Sequence, residues 1–198
     1  MSWHPRVRRD GGVTIGSTVP GQALFTYADL ATFPDDNLRR ELIDGELIVS
    51  PAPRTRHQQI VGRLHLLLGN HVEAFGGGEV YLAPTDVVLS DINVLEPDLL
   101  FIAEAQLEIL NEKNVSGPPA LVIEVLSNPR IDKVRKREVY GRFGVPEYWV
   151  VDGETDRIEV HHLNGDRYDK PELFEPGDRL RPGALPDLEI DLGLLFRR

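Results

Sequence analysis

The stretch "ALVIEVLS", residues 120–127, constrains the fold of this chain more than any other. In an extended strand Val122, Glu124 and Leu126 share one face, and Leu121, Ile123 and Val125 share the other. A strand that is apolar on both faces belongs in the middle of a sheet covered on both sides, which points to an α/β architecture. Glu124 interrupts that pattern. An unpaired carboxylate in such a place would cost several kcal/mol, so the rest of the chain must supply an ion-pair partner or hold a metal ion there.

The elements around this strand follow from local signals. "TYADLATF" reads as a short helix capped by Thr26, and "RRELIDGELIVSPAP" as two strands joined by the turn Asp44-Gly45. From Arg54 to Phe75 the residues Ile60, Val61, Leu64, Leu67, Leu68, Val72 and Phe75 recur at helical spacing, and "GGG" ends that helix. "EVYLAPTDVVLS" and "EPDLLFIA" read as consecutive strands, and "AEAQLEILNEKNVSGPP" as a partly helical connector. After the central strand come a helix from about Ile131 to Phe143 and a hairpin of "EYWVVD" and "RIEVHHL" around "GETD". The tail adds short edge strands or loops. This order predicts a mixed central sheet flanked by helices. Residues 1–22 are expected to be a loose arm, and residues 23–198 a single domain.

Composition narrows the chemistry. With no cysteine there is neither a disulfide framework nor a thiolate ligand, so any metal must be held by oxygen or histidine donors, a set that suits magnesium or manganese. No apolar run is long enough for a membrane helix, and "MSWHPRVRRDGG" lacks the apolar stretch of a secretion signal, so a cytoplasmic location is expected. A formal charge of −10 argues against a general nucleic-acid coat, but it leaves room for local basic patches beside an acidic metal site.

The candidate site starts from Asp98, at the entrance of the "EPDLLFIA" strand behind Pro97. If that strand neighbours the Glu124 strand, the two carboxylates converge at one end of the sheet and need a cation between them. Along the next helix, steps of ~100° place Asp132, Lys136, Val139, Tyr140 and Phe143 on one side and Lys133, Arg135, Arg137 and Arg142 elsewhere. Lys136 is therefore in position to reach Glu124, either as half of a structural ion pair or as part of a catalytic group. Ser127 is expected to cap the turn into the helix, Tyr140 to be core with its hydroxyl near the site, and Trp149 to be core or a dimer contact.

"ELIDGELIVSPAPRTRHQQIVGRL", "EPDLLFIAE" and "LVIEVLSNPRIDKVRKREVYGRFGVPEYWVVD" together resemble the Uma-two family of restriction-endonuclease-like domains, within the PD-(D/E)xK nuclease superfamily. The resemblance implies a restriction-endonuclease-like α/β fold and hydrolysis of nucleic-acid phosphodiester bonds with Mg2+ or Mn2+. It implies roles for Asp98, Glu124 and Lys136 in catalysis, and for Asp98, Glu124 and Glu41 in metal binding. The family's usual lysine, two residues past the glutamate, is replaced here by Leu126, and Lys136 is its migrated counterpart. His57, Arg54 and Arg56 are candidate phosphate contacts. The implied partner is nucleic acid, with DNA expected, and a homodimer is expected because such nucleases often pair to address two strands. The alternative is an inactive module of the same fold, with Glu124 and Lys136 as a structural pair, that binds nucleic acid or a protein.

Overall fold

A computed structural model describes residues 13–15, 24–34, 36 and 38–198. In chain order the elements are β1 (Val13–Ile15), α1 (Tyr27–Leu30), β2 (Arg39–Ile43), β3 (Glu46–Ser50), α2 (Thr55–Phe75), β4 (Gly78–Leu82), β5 (Val87–Ser90), β6 (Asn93–Leu95) and β7 (Leu99–Ala103). A 3-10 helix, Glu104–Ile109, follows. The chain continues with β8 (Leu121–Val125), a π-helical turn (Ile131–Lys136), α3 (Arg137–Arg142), β9 (Glu147–Asp152), β10 (Arg157–Asn164) and β11 (Arg167–Tyr168). It ends with β12 (Glu172–Phe174), β13 (Arg179–Leu180), β14 (Ile190–Asp191) and α4 (Leu192–Leu195).

The main sheet runs β11-β10-β9-β8-β7-β4, with β12 also paired to β10. Among the described strands of this sheet only β8 and β9 are parallel, and the π turn and α3 make the crossover between them. β8 is central and buried along its whole length. Its two faces divide as the alternation predicts. Leu121, Ile123 and Val125 pack with Ile60, Leu64 and Leu68 of α2, while Val122 packs with Val139 and Tyr140 of α3 and with Tyr148. Each fully buried aliphatic side chain in these layers contributes about 1.5–3 kcal/mol of transfer free energy. Phe75, although in phase with the apolar stripe of α2, lies at its last turn and is 79% exposed.

The second face of the main sheet is covered by more than a helix. A five-stranded sheet, β1-β3-β2-β6-β5, contributes Ile43, Ile48, Val87 and Leu95 to the same core as α3. Its opposite face carries Leu42, Leu47 and Val94 against Phe25, Tyr27 and Leu30. The β2–β3 hairpin turns at Asp44-Gly45 with φ of 50° and 73°, the left-handed pair that glycine and short polar residues tolerate. "EVYLAPTDVVLS" is not one strand: β4 pairs β7 in the main sheet, whereas β5 pairs β6 in the other. Pro84, with no backbone N–H to give to a ladder, sits where the chain changes sheets. Within residues 1–22, β1 pairs antiparallel with β3; the remainder of that arm lies outside the described residues.

The N-terminal cap before the π turn also differs from expectation. Asn128, not Ser127, is the cap: its Oδ1 accepts from Arg130 N at 3.2 Å and Ile131 N at 3.4 Å, and Pro129 occupies the first helical position. The Ser127 and Asn128 N–H groups instead donate to Asp132 Oδ2 at 3.0 and 2.9 Å. Trp149 is core, its Nε1 donating to the buried Glu147 at 2.7 Å.

His161 on β10 is buried between Tyr148 and Tyr168, with ring centroids 5.9 and 5.8 Å away, and neither ring nitrogen has a hydrogen-bond partner among the described residues. Its nearest acid, Glu159, is 3.7 Å from Nε2, too far for a hydrogen bond. Burial, reinforced by the Arg137 charge and opposed by Glu159, pushes His161 down to about 4. Because the folded value lies below the unfolded one, stability is complete above the unfolded pKa near 6.5 and is lost as pH falls toward 4. A loss on the order of 2 kcal/mol between those limits is expected from this group. His161→Phe should lose less stability than the parent between pH 7 and pH 5 in urea melts. Parallel pH profiles would remove His161 as the cause.

Candidate active site

β2, β7, β8 and α3 meet at one cluster of charges. On β2, residues two apart share a face, so Arg39, Glu41 and Ile43 all turn toward the main sheet. Asp98 precedes β7, Glu124 is on β8, and the helical crossover returns Lys136 over them. A π turn is a widened helical turn, of the kind frequent at functional sites, and it ends at Lys136. Asp132, Lys136, Val139 and Tyr140 are all buried, as the helical stepping predicts.

Lys136 Nζ lies 2.8 Å from Glu41 Oε1 and 2.9 Å from Glu124 Oε1, with Asp132 Oδ1 at 4.0 Å. Glu124 Oε1 also accepts from Tyr140 OH at 3.0 Å, and Glu41 Oε1 from Glu96 N at 2.9 Å. Arg39 is the second cation: Nη1 is 2.8 Å from Asp98 Oδ1, Nη2 is 3.5 Å from Glu124 Oε2 and 3.6 Å from Glu41 Oε1, and Nε is 3.3 Å from Glu96 Oε1. Asp98 Oδ2 accepts from Val125 N at 2.8 Å and from His57 Nε2 at 3.1 Å.

Burial and charge set the protonation states. Burial works to raise Asp98, but the His57 hydrogen bond and the Arg39 charge outweigh it and hold the acid at about 2. Asp98 is thus an acceptor and His57 Nε2 its donor, while His57 Nδ1 has no partner among the described residues. Burial also works against the charge of Lys136, yet Glu124 and Glu41 hold it above the ordinary lysine range. For Glu124 burial prevails and pushes the carboxyl up to about 8, against the pull of Lys136 and Arg39. The Lys136 ammonium opposes that rise, because its own charge is stabilised by an ionised Glu124. Among the described residues Lys136, Tyr140 and Arg39 all approach Glu124 as donors, so the contacts fit the ionised form. Glu96 is raised to about 7, chiefly by burial.

The cluster lies beneath a cleft of about 450 Å³ walled by the loop after β3, the start of α2, and the segment from Val125 to Asn128. Arg39, Asp132 and Lys136 reach its lining, as do His57, Arg54 and Arg56. Arg54 is 88% exposed and pairs loosely with Glu154 at 3.4 Å. Arg56 is committed, donating to Asp156 at 2.8 Å and to the Phe196 carbonyl at 2.7 Å. In the basic stretch of the crossover, Lys133 pairs with Glu159 at 2.6 Å and Arg135 with Glu46 at 2.9 Å. Leu126 is partly buried and packs in the core on Glu124's face.

Among the described residues no three His, Asp or Glu side chains are grouped as a ready metal site. The donor chemistry nonetheless fits a hard divalent ion, because Asp98 Oδ1 and Glu124 Oε2 face one cation, the Arg39 guanidinium. Magnesium commonly takes only one or two carboxylates and completes its shell with water and substrate phosphate. The cluster also holds Arg39 and Glu96, which no motif marks. For Arg39 the signal was present, since it sits two residues before Glu41 on the same strand face.

A mixed sheet flanked by helices, with carboxylates and a lysine gathered beside its central strand, is a restriction-endonuclease-like α/β arrangement. The model of the Uma2 family, described as "Putative restriction endonuclease", matches residues 26–193, and the chain belongs to that family. Its structure is similar to that of "a putative nuclease belonging to DUF820" from Anabaena variabilis ATCC 29413, with a TM-score of 0.73 and 18% identity over 87% of this chain and 97% of the other. No curated protein matches the sequence. Among the described residues no helix is long and apolar enough to cross a membrane.

Proposed function

We propose that the protein is a Mg2+- or Mn2+-dependent endonuclease that hydrolyses phosphodiester bonds of nucleic acid, with DNA as the expected substrate. The observation that carries this reading is the shared cation position of Asp98 and Glu124, with Lys136 held beside Glu124 at 2.9 Å and a cleft open above it. When bound, the metal supplies an activated water and neutralises charge on the phosphate. Asp98 and Glu124 would hold it, with Glu41 at its margin. Glu41 and Glu124 keep Lys136 charged and aimed at the cleft, where it stabilises the negative charge that grows on phosphorus-bound oxygens. Tyr140 fixes the Glu124 carboxylate through its hydroxyl. His57 and Arg54, on the cleft wall, would meet the flanking phosphates. A second copy, which would address the other strand, could join along β12, where Leu173 is 65% exposed.

One observation favours the alternative of a structural pair: Lys136 and Glu124 are in close contact and nearly fully buried, at 2% exposure each. Against it, Lys136 also lines the open cleft. Nicking of supercoiled plasmid and single-stranded DNA with Mn2+ tests the choice. The parent should cleave, and Glu124→Gln should lose ~100-fold or more. A parent inactive under every metal condition, or a Glu124→Gln variant of equal activity, would defeat the catalytic reading.

A further inference from the structure

The two cations of the cluster are held differently. Lys136 bonds two carboxylates at 2.8 and 2.9 Å and its side chain is 3% exposed, so it is locked. Arg39 makes one short contact, 2.8 Å to Asp98; its other acids lie at 3.3 to 3.6 Å, and its side chain is 21% exposed. Arg39 lines the cleft, whereas Asp98 and Glu124 do not. An ion entering from the cleft therefore meets the guanidinium before it meets the carboxylates. Among the described residues the carboxylates Glu41, Asp98 and Glu124 are matched by the two cations Arg39 and Lys136, with His57 donating to Asp98 and Glu96 beside Arg39.

We propose that Arg39 is a place-holding cation: it neutralises Asp98 and Glu124 in the free protein and turns into the cleft to grip the substrate phosphate when a divalent ion takes its place. This rests on the metal-dependent reading above. A planar guanidinium that gives up a carboxylate can take a phosphate in the same two-pronged way, which a lysine cannot. Two consequences follow from the exchange. The free protein binds divalent ions weakly, because the state with Arg39 withdrawn is a minority. A phosphate in the cleft draws Arg39 away and so strengthens metal binding, and the metal strengthens nucleic-acid binding by the same factor.

The loss of the free Mn2+ electron paramagnetic resonance signal measures metal binding without reference to cleavage. Arg39→Gln is expected to bind Mn2+ at least about tenfold tighter than the parent in the absence of nucleic acid, as follows if the withdrawn state is populated below ~10%. Arg39→Lys, which keeps the charge, should stay near the parent. A phosphorothioate DNA duplex should tighten Mn2+ binding more in the parent than in Arg39→Gln, where only the direct contact of metal and phosphate remains. Equal or weaker Mn2+ affinity in Arg39→Gln overturns the proposal and leaves the metal site standing, provided the parent binds Mn2+. Absence of Mn2+ binding in parent and variant alike, with or without DNA, removes the metal reading and this proposal together. If Arg39→Gln does not fold, the parent decides alone: phenylglyoxal should modify Arg39 faster with Mn2+ present, and an unchanged or slower rate overturns the exchange.

Discussion

Lys136→Met is expected to destabilise the protein by about 3–5 kcal/mol and to abolish Mn2+-dependent cleavage even at matched folded concentration. The size follows from what is left behind. Lys136 is the only cation within 3 Å of either Glu41 or Glu124 among the described residues, and both acids are nearly fully buried. Methionine fills the stem's space but leaves two buried acids without their shared cation, with only the looser Arg39 contacts at 3.5 and 3.6 Å to offset their desolvation. Position on the helix alone suggests a milder outcome, in which folding survives and only cleavage is lost; the double pairing with Glu41 is what adds the stability cost. Lys133→Ala is the control. Its partner Glu159 and its own side chain are 24% and 32% exposed, so its loss should stay within ~1 kcal/mol and leave cleavage intact. Urea denaturation and plasmid nicking on the same preparations read both effects. A Lys136→Met loss below ~1 kcal/mol would show that the pair does not anchor the site.

The second large effect concerns Asp98. Mn2+ at about 100 times its dissociation constant should stabilise the parent by ~2.7 kcal/mol, and Asp98→Ala should gain little or nothing. Without metal the same variant should cost roughly 2–4 kcal/mol. Asp98 is the acceptor for the buried Val125 N–H, for His57 and for Arg39, and alanine leaves all three without it. Metal-free and metal-loaded melting curves separate these contributions, since one is a drop in the baseline and the other a missing shift. An equal metal-induced shift in both proteins would mean that Asp98 does not touch the ion.

The fold-determining features that could be read along the chain are those whose cause is local. Alternation along β8 assigned Leu121, Ile123 and Val125 to one side and Glu124 to the other, and the helical period turned Lys136 and Tyr140 inward. The Asp44-Gly45 hairpin was legible because its left-handed backbone demands those residue types. What depended on strand order was not legible. A single long strand is expected where Pro84 sends the chain from one sheet to the other, and the one local exception is the Asn128 cap, because Ser127 beside it offers the same capping chemistry.

The same division runs through the site. Periodicity put Glu124 and Lys136 within possible reach of each other, and Asp98 at the mouth of a strand. Only the packing of the second sheet against the first brought Glu41 to the far side of Lys136 and slid Arg39 between Asp98 and Glu124. A strand's face follows from its own residues, because side chains alternate at every step. Which charge meets which across two sheets is set by contacts between segments far apart in the chain, and only the folded arrangement chooses among them.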